Sequence, residues 1–263
     1  MINDAYIIGE YYPEYYFMGE GYKNLLSYGV FDYTDKEIKY IGPRVFYNEA
    51  LGKPDLNKIT ESINNSWYQA EISQRKPPGA PTEEDLRKEN AYTWIKSPRY
   101  GDLPMEVGPL ARMYMSGDYR RGISAMDRTM ARVLEVKKIC HIMKGFLNRI
   151  KLKKSSQRAY EIPNEAKGAG LVDTTRGALG HWIAIKDKTI SNYDIITPTA
   201  WNLSPHDLRG LMGPMEKALI GTRVEDLKNP IEIGRIARTF DPCVSCATHI
   251  ISDEVEPFKI RIV

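Results

Sequence analysis

Apolar residues recur every three or four positions along the middle of the chain, which is the spacing of one face of an α-helix. The longest such run predicts a helix over residues 122–150. Its apolar stripe comprises Ile123, Met126, Met130, Val133, Val136, Cys140, Met143 and Leu147. Because a free cysteine packs like a small apolar residue, the stripe predicts that Cys140 is buried.

Four shorter segments also carry helix signals, and they cover residues 55–68, a stretch beginning at Ser204, residues 214–220 and residues 230–239. Asp55 is a suitable N-cap for the first helix, because apolar residues follow it at helical spacing. Pro205 stands where proline is favoured in a first helical turn. The last helix is predicted to lead directly into a turn that contains two cysteines.

β-Branched and aromatic residues bounded by glycine and proline predict strands elsewhere. They indicate a short strand or buried turn at residues 24–31, a strand–turn–strand unit at 92–100 and 105–112, and a hairpin at 182–185 and 189–196. The hairpin is predicted to turn around Lys186-Asp187-Lys188.

Two polar features lie between these elements. Glu106 and Arg112 form either an internal ion pair or a pair that orients a partner, and the first is favoured because lone charged pairs are usually structural. Residues 168–182 place several glycines around Arg176, and glycine lets a ligand approach the backbone closely. The alternative is an ordinary glycine-rich loop, which composition alone favours.

Composition excludes several classes of protein. The 263 residues are 42% hydrophobic and 27% charged, which allows one large domain or two small ones with a buried core. A net charge of +3 is too small to indicate a nucleic-acid partner, and the basic segment 151–158 lacks interleaved aromatic residues. Three cysteines form no disulfide framework.

The sequence leaves the location of the protein open. Neither a signal peptide nor an apolar run approaching ~20 residues, the length of a transmembrane helix, is visible. Association with a membrane through partners and a cytoplasmic location are both compatible with this.

Side chains that bind metals concentrate near the C-terminus, in the stretch Asp-Pro-Cys-Val-Ser-Cys-Ala-Thr-His at residues 241–249. Thiolates suit nickel, iron, zinc or copper(I), and the spacing of Cys243 and Cys246 lets both sulfurs point at one metal. A bare Cys-x-x-Cys also occurs in zinc sites and redox dithiols. With His249 it offers three zinc ligands, whereas a structural zinc site usually has four.

This stretch, together with others along the chain, resembles the C-terminal half of the large subunit of nickel-iron hydrogenases. The matching segments occur in the family's order and cover essentially the whole chain: residues 24–31, 66–68, 106–112, 176–182, 198–202 and 241–249. The last three are highly specific in combination. The resemblance implies a mixed α/β, helix-dominated fold of the large-subunit type, with long bundle helices plus small antiparallel sheets.

The resemblance also implies a set of site residues. In that family four cysteine thiolates hold nickel, and two of them bridge to an iron that carries carbon monoxide and cyanide, giving a NiFe(CN)2(CO) cluster. By position, Cys243 is similar to a terminal nickel ligand and Cys246 to a nickel–iron bridge. Arg176, Pro198 and Thr199 match residues that line the diatomic ligands, with Arg176 and Thr199 as hydrogen-bond donors to cyanide.

A magnesium ion (Mg2+) close to the cluster is implied as well. His249 matches its histidine ligand, and Ile195 matches the residue whose backbone carbonyl also binds it. Magnesium prefers octahedral, oxygen-rich ligation, which leaves positions for water and for a carboxylate from elsewhere. Asp241 is expected beside Arg176, where it would help to fix the guanidinium.

The chain differs from a complete, mature family member in three ways. The family's other Cys-x-x-Cys is absent, so the chain is expected to be half of a split large subunit or a truncated product. Asp173-Thr174-Thr175 precedes Arg176 where the family usually has Ala-Pro, so the local backbone is expected to differ. Residues 250–263 resemble a tail that a maturation endopeptidase removes, with a cut between His249 and Ile250 that divides the chain into 1–249 and 250–263.

The expected function is reversible heterolytic cleavage of H2 to protons and electrons, active only with the missing N-terminal half and a small subunit. Cys243 is the first candidate for the proton-accepting base and Arg176 the second, since a guanidinium has a very high pKa. Iron–sulfur clusters of the small subunit would carry electrons away, because this chain lacks the cysteines to hold them. Nickel-insertion factors are further expected partners. The alternative is a non-catalytic assembly or sensory protein related to the quinone-site subunit of complex I.

Overall fold

The computed structural model describes residues 2–69, 74–79, 82–151, 159–243, 246–250 and 258–262, the last two ranges as backbone only. Within these residues the α-helices are α1 (Ile2–Tyr11), α2 (Pro109–Ser116), α3 (Ala125–Leu147), α4 (Pro198–Asn202), α5 (Pro214–Leu219) and α6 (Ile231–Thr239).

The strands of the described residues are mostly short and form five small sheets. Their bounds are β1 (Leu25–Ser27), β2 (Arg44–Tyr47), β3 (Ala50–Gly52), β4 (Ile59–Ser62), β5 (Tyr68–Gln69), β6 (Gln74–Arg75), β7 (Glu83–Glu84), β8 (Ser97–Tyr100), β9 (Glu106–Val107), β10 (Glu165–Thr174), β11 (Gly177–Lys186), β12 (Thr189–Ile196), β13 (Cys246–Ile250) and β14 (Phe258–Ile262). The sheet orders are β3–β2–β1–β9, β10–β11–β12, β6–β4–β8, β5–β7 and β13–β14. Only the β1–β9 pair is parallel among the described strands.

The longest predicted helix is confirmed as α3. A capping box begins it: the Asp127 backbone N–H donates to the Ser124 hydroxyl at 3.2 Å, and the Asp127 carboxylate accepts from the Ser124 backbone N–H at 2.9 Å. The helices predicted at residues 214–220 and 230–239 are confirmed as α5 and α6, and the predicted hairpin is formed by β11 and β12.

The predicted apolar stripe of α3 is buried only near its start. Met130 is fully buried, whereas Val136 and Cys140 are exposed. The prediction that Cys140 is buried is therefore wrong. The helix turns its Glu135 and Ile142 side toward the core, because Glu135 takes part in a buried ion pair.

Two predicted helices are wrong. Asp55 accepts a hydrogen bond from the Asn57 backbone N–H at 3.0 Å, but it begins a single 3-10 turn, after which the chain extends as β4 between β6 and β8. No helix begins at Ser204, because residues 204–213 form an irregular segment whose carbonyls bind Arg99. Residues 168–182 lie in β10 and β11 and the turn between them rather than in a loop, and 105–112 is a strand only as far as Val107.

Three apolar clusters hold these elements together, and burial of apolar surface at roughly 25 cal/mol per Å² drives their packing. One packs α2 and α3 around Ile41, the second joins β1 and β11 to α4 around Trp201, and the third joins α1, α3 and α6 around Ile236. The fold is mixed α/β as predicted. The expectation that helices dominate is not supported, since strands hold about as many described residues as helices do. None of the described helices is long and apolar enough to cross a membrane.

Candidate metal-binding site

Arg176 lies at the tip of the hairpin that β10 and β11 form. Thr174 and Gly177 are the last paired residues, which leaves Thr175 and Arg176 as a two-residue loop. Gly177 has a φ of +126°, and a Cβ added there would stand 2.5 Å from the Gly108 backbone nitrogen. Glycine is therefore required for the hairpin tip to pack against the start of α2.

Arg176 reaches from the hairpin tip to the end of α6. Its Nε donates to the Asp241 backbone carbonyl at 3.0 Å and lies 3.3 Å from the Asp241 carboxylate. Both side chains are 37% exposed, so this ion pair contributes little to stability. Its consequence is positional, because it joins the hairpin to the residue that lies two positions before Cys243.

Asp241 follows the end of α6 in an uncommon backbone conformation, with a φ of +51°. Its backbone N–H donates to the Arg238 carbonyl at 3.0 Å. A left-handed residue after the last helical turn ends a helix, and Pro242 prevents its continuation. The chain thus leaves α6 toward Cys243, whose thiol is free and exposed.

The other two predicted ligands of the C-terminal motif, Cys246 and His249, have side chains that lie outside the described residues. Their backbone belongs to β13, where Cys246 pairs with Ile262 and His249 with Lys259 of β14. His249 and Ile250, which flank the predicted cleavage point, both lie in β13. In the part of the chain that the structure describes, no three His, Cys, Asp or Glu side chains form a group that could hold a metal ion.

The remaining predicted site residues lie where β12 leads into α4. Ile195 is near the end of β12, with its side chain 47% exposed. Pro198 is the first residue of α4 and is buried, and Thr199 follows it half-buried. Neither Pro198 nor Thr199 lines the crevice beneath Arg176, although Asn202 at the end of α4 does.

The crevice beneath Arg176 has an excess of positive charge. Its charged lining residues are three arginines and two carboxylates: Arg128, Arg132, Arg176, Glu106 and Asp241. Burial lowers the pKa of Arg132, and the nearby Asp241 partly offsets this. An excess of guanidinium groups favours anionic ligands at this place.

Glu106 and Arg112 both make internal ion pairs, but not with each other. Glu106 accepts two hydrogen bonds of 2.8 Å from Arg128 on α3. Arg112 pairs with Glu135 on α3 and with Asp173 on β10. These partners lie 22 to 61 residues away in sequence, so no local spacing could have identified them.

Asn202 is a further residue that the sequence did not single out. Its side-chain oxygen accepts from the Val107 backbone N–H at 2.9 Å, and its side-chain nitrogen donates to the Val107 carbonyl at 3.0 Å. This amide completes the hydrogen bonding of β9 and fixes α4 beside the start of α2.

Comparison with known families gives this geometry a context. The sequence model of the family described as "Nickel-dependent hydrogenase" matches residues 1–123 and 117–249. The chain belongs to this family. Among its relatives, the periplasmic [NiFeSe] hydrogenase large subunit of Desulfomicrobium baculatum is 32% identical over 282 residues, which cover 95% of this chain and 54% of that protein. The uptake hydrogenase large subunit of Rhodobacter capsulatus is 30% identical, with 98% and 54% covered. The chain spans about half the length of the curated relatives it matches.

Solved structures agree with the sequence comparison. The H2-activated [NiFeSe]-hydrogenase of D. baculatum superimposes with a TM-score of 0.85 at 32% identity, over 92% of this hydrogenase-family chain and 55% of that one. The reduced Ni-Fe-Se hydrogenase of D. vulgaris Hildenborough gives a TM-score of 0.82 at 31% identity, over 92% and 56%. The large-subunit type of fold, with helices and small sheets, is therefore confirmed.

Proposed function

We propose that this chain is a portion of the catalytic subunit of a nickel-iron hydrogenase, which cleaves H2 reversibly to protons and electrons. The observation that carries the proposal is the contact between Arg176 and Asp241, two residues before the exposed thiol of Cys243. In a member of the nickel-dependent hydrogenase family, this contact brings a guanidinium to the end of the helix that precedes the thiolate motif.

The described residues fit a nickel-iron group in two respects. Cys243 offers a free, accessible sulfur, and a thiolate is a soft ligand that loses its proton on binding nickel. The crevice beside it carries an excess of arginine, which suits anionic ligands such as cyanide. Cys243 and Cys246 would contribute two of the four nickel thiolates, Cys243 as a terminal ligand and Cys246 as a bridge to iron.

The chain's own residues would orient the group and accept a proton. The nickel-iron group supplies, when bound, the chemistry that splits H2. Arg176 would donate hydrogen bonds to a cyanide ligand while Asp241 holds its Nε, and Thr199 and Pro198 would line the same ligands from α4. The Cys243 Sγ is the proposed proton acceptor, and the Arg176 guanidinium is second because its pKa is far above neutrality.

A magnesium ion would lie beside the thiolates. We place its protein ligands at the His249 imidazole and the Ile195 backbone carbonyl, with water and a carboxylate from another chain in the remaining positions. Support for this part of the proposal is limited to the family motif at these two positions.

Other polypeptides would complete the enzyme. Because this chain spans about half of its relatives, the other two thiolates would come from the N-terminal half of the large subunit. An iron–sulfur small subunit would carry the electrons, and nickel-insertion factors and a maturation endopeptidase would act before the enzyme is active. The end of the family match at residue 249 supports a separate tail at 250–263.

A Cys243→Ser variant of the assembled enzyme tests the proposal. Its nickel content and H2 uptake should both be lost, because a hydroxyl does not replace a thiolate as a soft ligand. Cys140→Ser is the matched control, since Cys140 is also an exposed free thiol but lies on α3. It should retain both nickel and uptake.

Metal analysis of the unmodified complex gives the test a second reading. Nickel together with iron supports the hydrogenase proposal, zinc alone indicates a zinc-binding module, and absence of metal indicates the non-catalytic alternative. Full nickel content and H2 uptake in Cys243→Ser would contradict the ligand assignment.

A further inference from the structure

Arg112 lies buried on the first turns of α2, and its side chain uses all five of its N–H groups. Nε and Nη2 donate to the two oxygens of Glu135 at 2.7 and 2.8 Å. Nη1 donates to the Asp173 carboxylate at 3.1 Å and to the Thr174 carbonyl at 2.9 Å, and Nη2 also donates to the Thr175 carbonyl at 3.0 Å. The guanidinium therefore joins α2, α3 and the β10–β11 hairpin in one place.

The hairpin tip has little local preference for its own conformation. Two-residue hairpin loops favour positive φ values at one or both central residues, because these turns match the twist of the strands. Thr175 and Arg176 both have negative φ values. Contacts from outside the loop must therefore hold this turn, and the two carbonyls that Arg112 binds belong to the residues directly before Arg176.

The same guanidinium is electrostatically compensated. Burial by itself lowers the pKa of Arg112, but the hydrogen bonds and charges of Glu135 and Asp173 more than offset this and raise its pKa. Glu135 also accepts a hydrogen bond of 2.6 Å from the Tyr40 hydroxyl. A buried charge whose donors are all used, between two fixed carboxylates, has one available orientation.

We propose that Arg112 is the positioning residue for Arg176: through the carbonyls of Thr174 and Thr175 it sets where the Arg176 guanidinium stands relative to Asp241 and Cys243. The Thr175 carbonyl belongs to the peptide group that contains the Arg176 nitrogen, so a shift of this peptide moves Arg176 directly. The inference deepens the proposed function, because it assigns the residue that aims the cyanide-binding arginine.

Lysine at position 112 separates this role from a general need for positive charge. Its ammonium keeps the charge but has three donors on a flexible stem, so it cannot bind two carboxylates and two carbonyls together. Arg99→Lys is the matched control. Arg99 is also buried and also uses five N–H groups, but it binds residues 98, 204, 205, 207 and 211.

Hydrogen exchange of the full chain in its assembled complex is the first measurement. Arg112→Lys should accelerate exchange at residues 174–177 by about tenfold or more and leave residues 204–211 unchanged, because local opening follows the loss of local contacts. Arg99→Lys should do the reverse. Equal protection of 174–177 in the wild type and Arg112→Lys would overturn the proposal.

Infrared spectra of the loaded enzyme supply the reading that a purely structural role would not move. The stretching bands of the cyanide ligands should shift in Arg112→Lys, with nickel content retained, and stay in place in Arg99→Lys. Unshifted bands in Arg112→Lys would show that Arg112 holds the turn without aiming Arg176, and would overturn the proposal. Absence of nickel from the wild type would instead overturn the proposed function, and the exchange experiment would still decide whether Arg112 holds the turn.

Discussion

Two buried arginines of this chain use every N–H group inside the protein, but they hold different kinds of structure. Arg112 makes three hydrogen bonds to carboxylates and two to carbonyls, and it joins two helices to a hairpin. Arg99 makes one hydrogen bond to a carboxylate, one to a hydroxyl and three to carbonyls, and it joins β8 to the irregular segment 204–211. The first is an ionic centre, and the second replaces the missing backbone partners of a loop.

The pKa values of the two guanidiniums reflect this difference. Burial is the largest influence on both and lowers both. At Arg112 the two carboxylates outweigh it, so the pKa is raised, whereas at Arg99 the single contacting carboxylate of Asp207 does not, so the pKa is lowered. Loss of Arg112 would therefore leave more uncompensated charge in the interior than loss of Arg99.

The largest expected effect is on stability when the two arginines are replaced by leucine. Arg112→Leu should cost about 3–5 kcal/mol, because it leaves the buried Glu135 and Asp173 carboxylates without their cation. Arg99→Leu should cost about 1–3 kcal/mol, mostly from unpaired carbonyls, since Asp207 keeps the backbone N–H groups of residues 209 and 211. Urea denaturation of the full-length variants measures both.

A double variant sharpens this comparison. Adding Asp173→Asn to Arg112→Leu should recover part of the loss, because it removes one of the two unpaired charges. Equal costs for Arg112→Leu and Arg99→Leu, with no recovery in the double variant, would mean that both arginines act only through hydrogen bonds to the backbone.

The next effect concerns a glycine in each region. Gly177→Ala should cost about 2–3 kcal/mol, because its φ is +126° and the new Cβ would stand 2.5 Å from the Gly108 nitrogen, which is backbone. Gly210→Ala should cost only about 1 kcal/mol, since its φ of +73° is strained for alanine but no atom lies within 4 Å. Thermal or urea unfolding compares the two variants, and a cost at Gly210 equal to that at Gly177 would exclude close packing as the reason.

The same two regions show what the sequence could and could not predict. The hairpin of β11 and β12 was predictable because its strands are β-rich and Asp187 and Lys188 form the turn, both with positive φ. The long helix α3 was predictable from apolar spacing and a Ser124 cap. Cys243 and Arg176 were identified as site residues because their motifs resemble those of a known family. Local pattern and recognised motif are both short-range information.

Long-range pairs could not be predicted in this way. The apolar spacing of residues 55–68 fits a helix, but pairing of Ile59 with Tyr100 and a buried Glu61–Arg75 ion pair favour a strand. The predicted helix at Ser204 failed because Arg99, more than 100 residues earlier, binds the Ser204 hydroxyl and neighbouring carbonyls. Tertiary contacts decide such segments, and one sequence does not contain their partners in readable form.

The smallest expected effect is a difference of sign under mild acid. Hydrogen bonds from Arg99 and from the backbone outweigh burial at Asp207, so its pKa is lowered from 3.8, and the stability it contributes is lost as the pH falls through the lowered value. Burial raises the pKa of Asp173 above 3.8, partly offset by Arg112, so the folded state takes up its proton first and gains stability as the pH falls through that window. On acidification the stability deficit of Asp207→Asn relative to the wild type should therefore shrink, and that of Asp173→Asn should grow. Urea denaturation of the three proteins between about pH 6 and pH 3 measures the two trends. Parallel trends would show that the carboxylates of the two arginine sites titrate alike, and that the ionic character assigned to Arg112 does not distinguish it from Arg99.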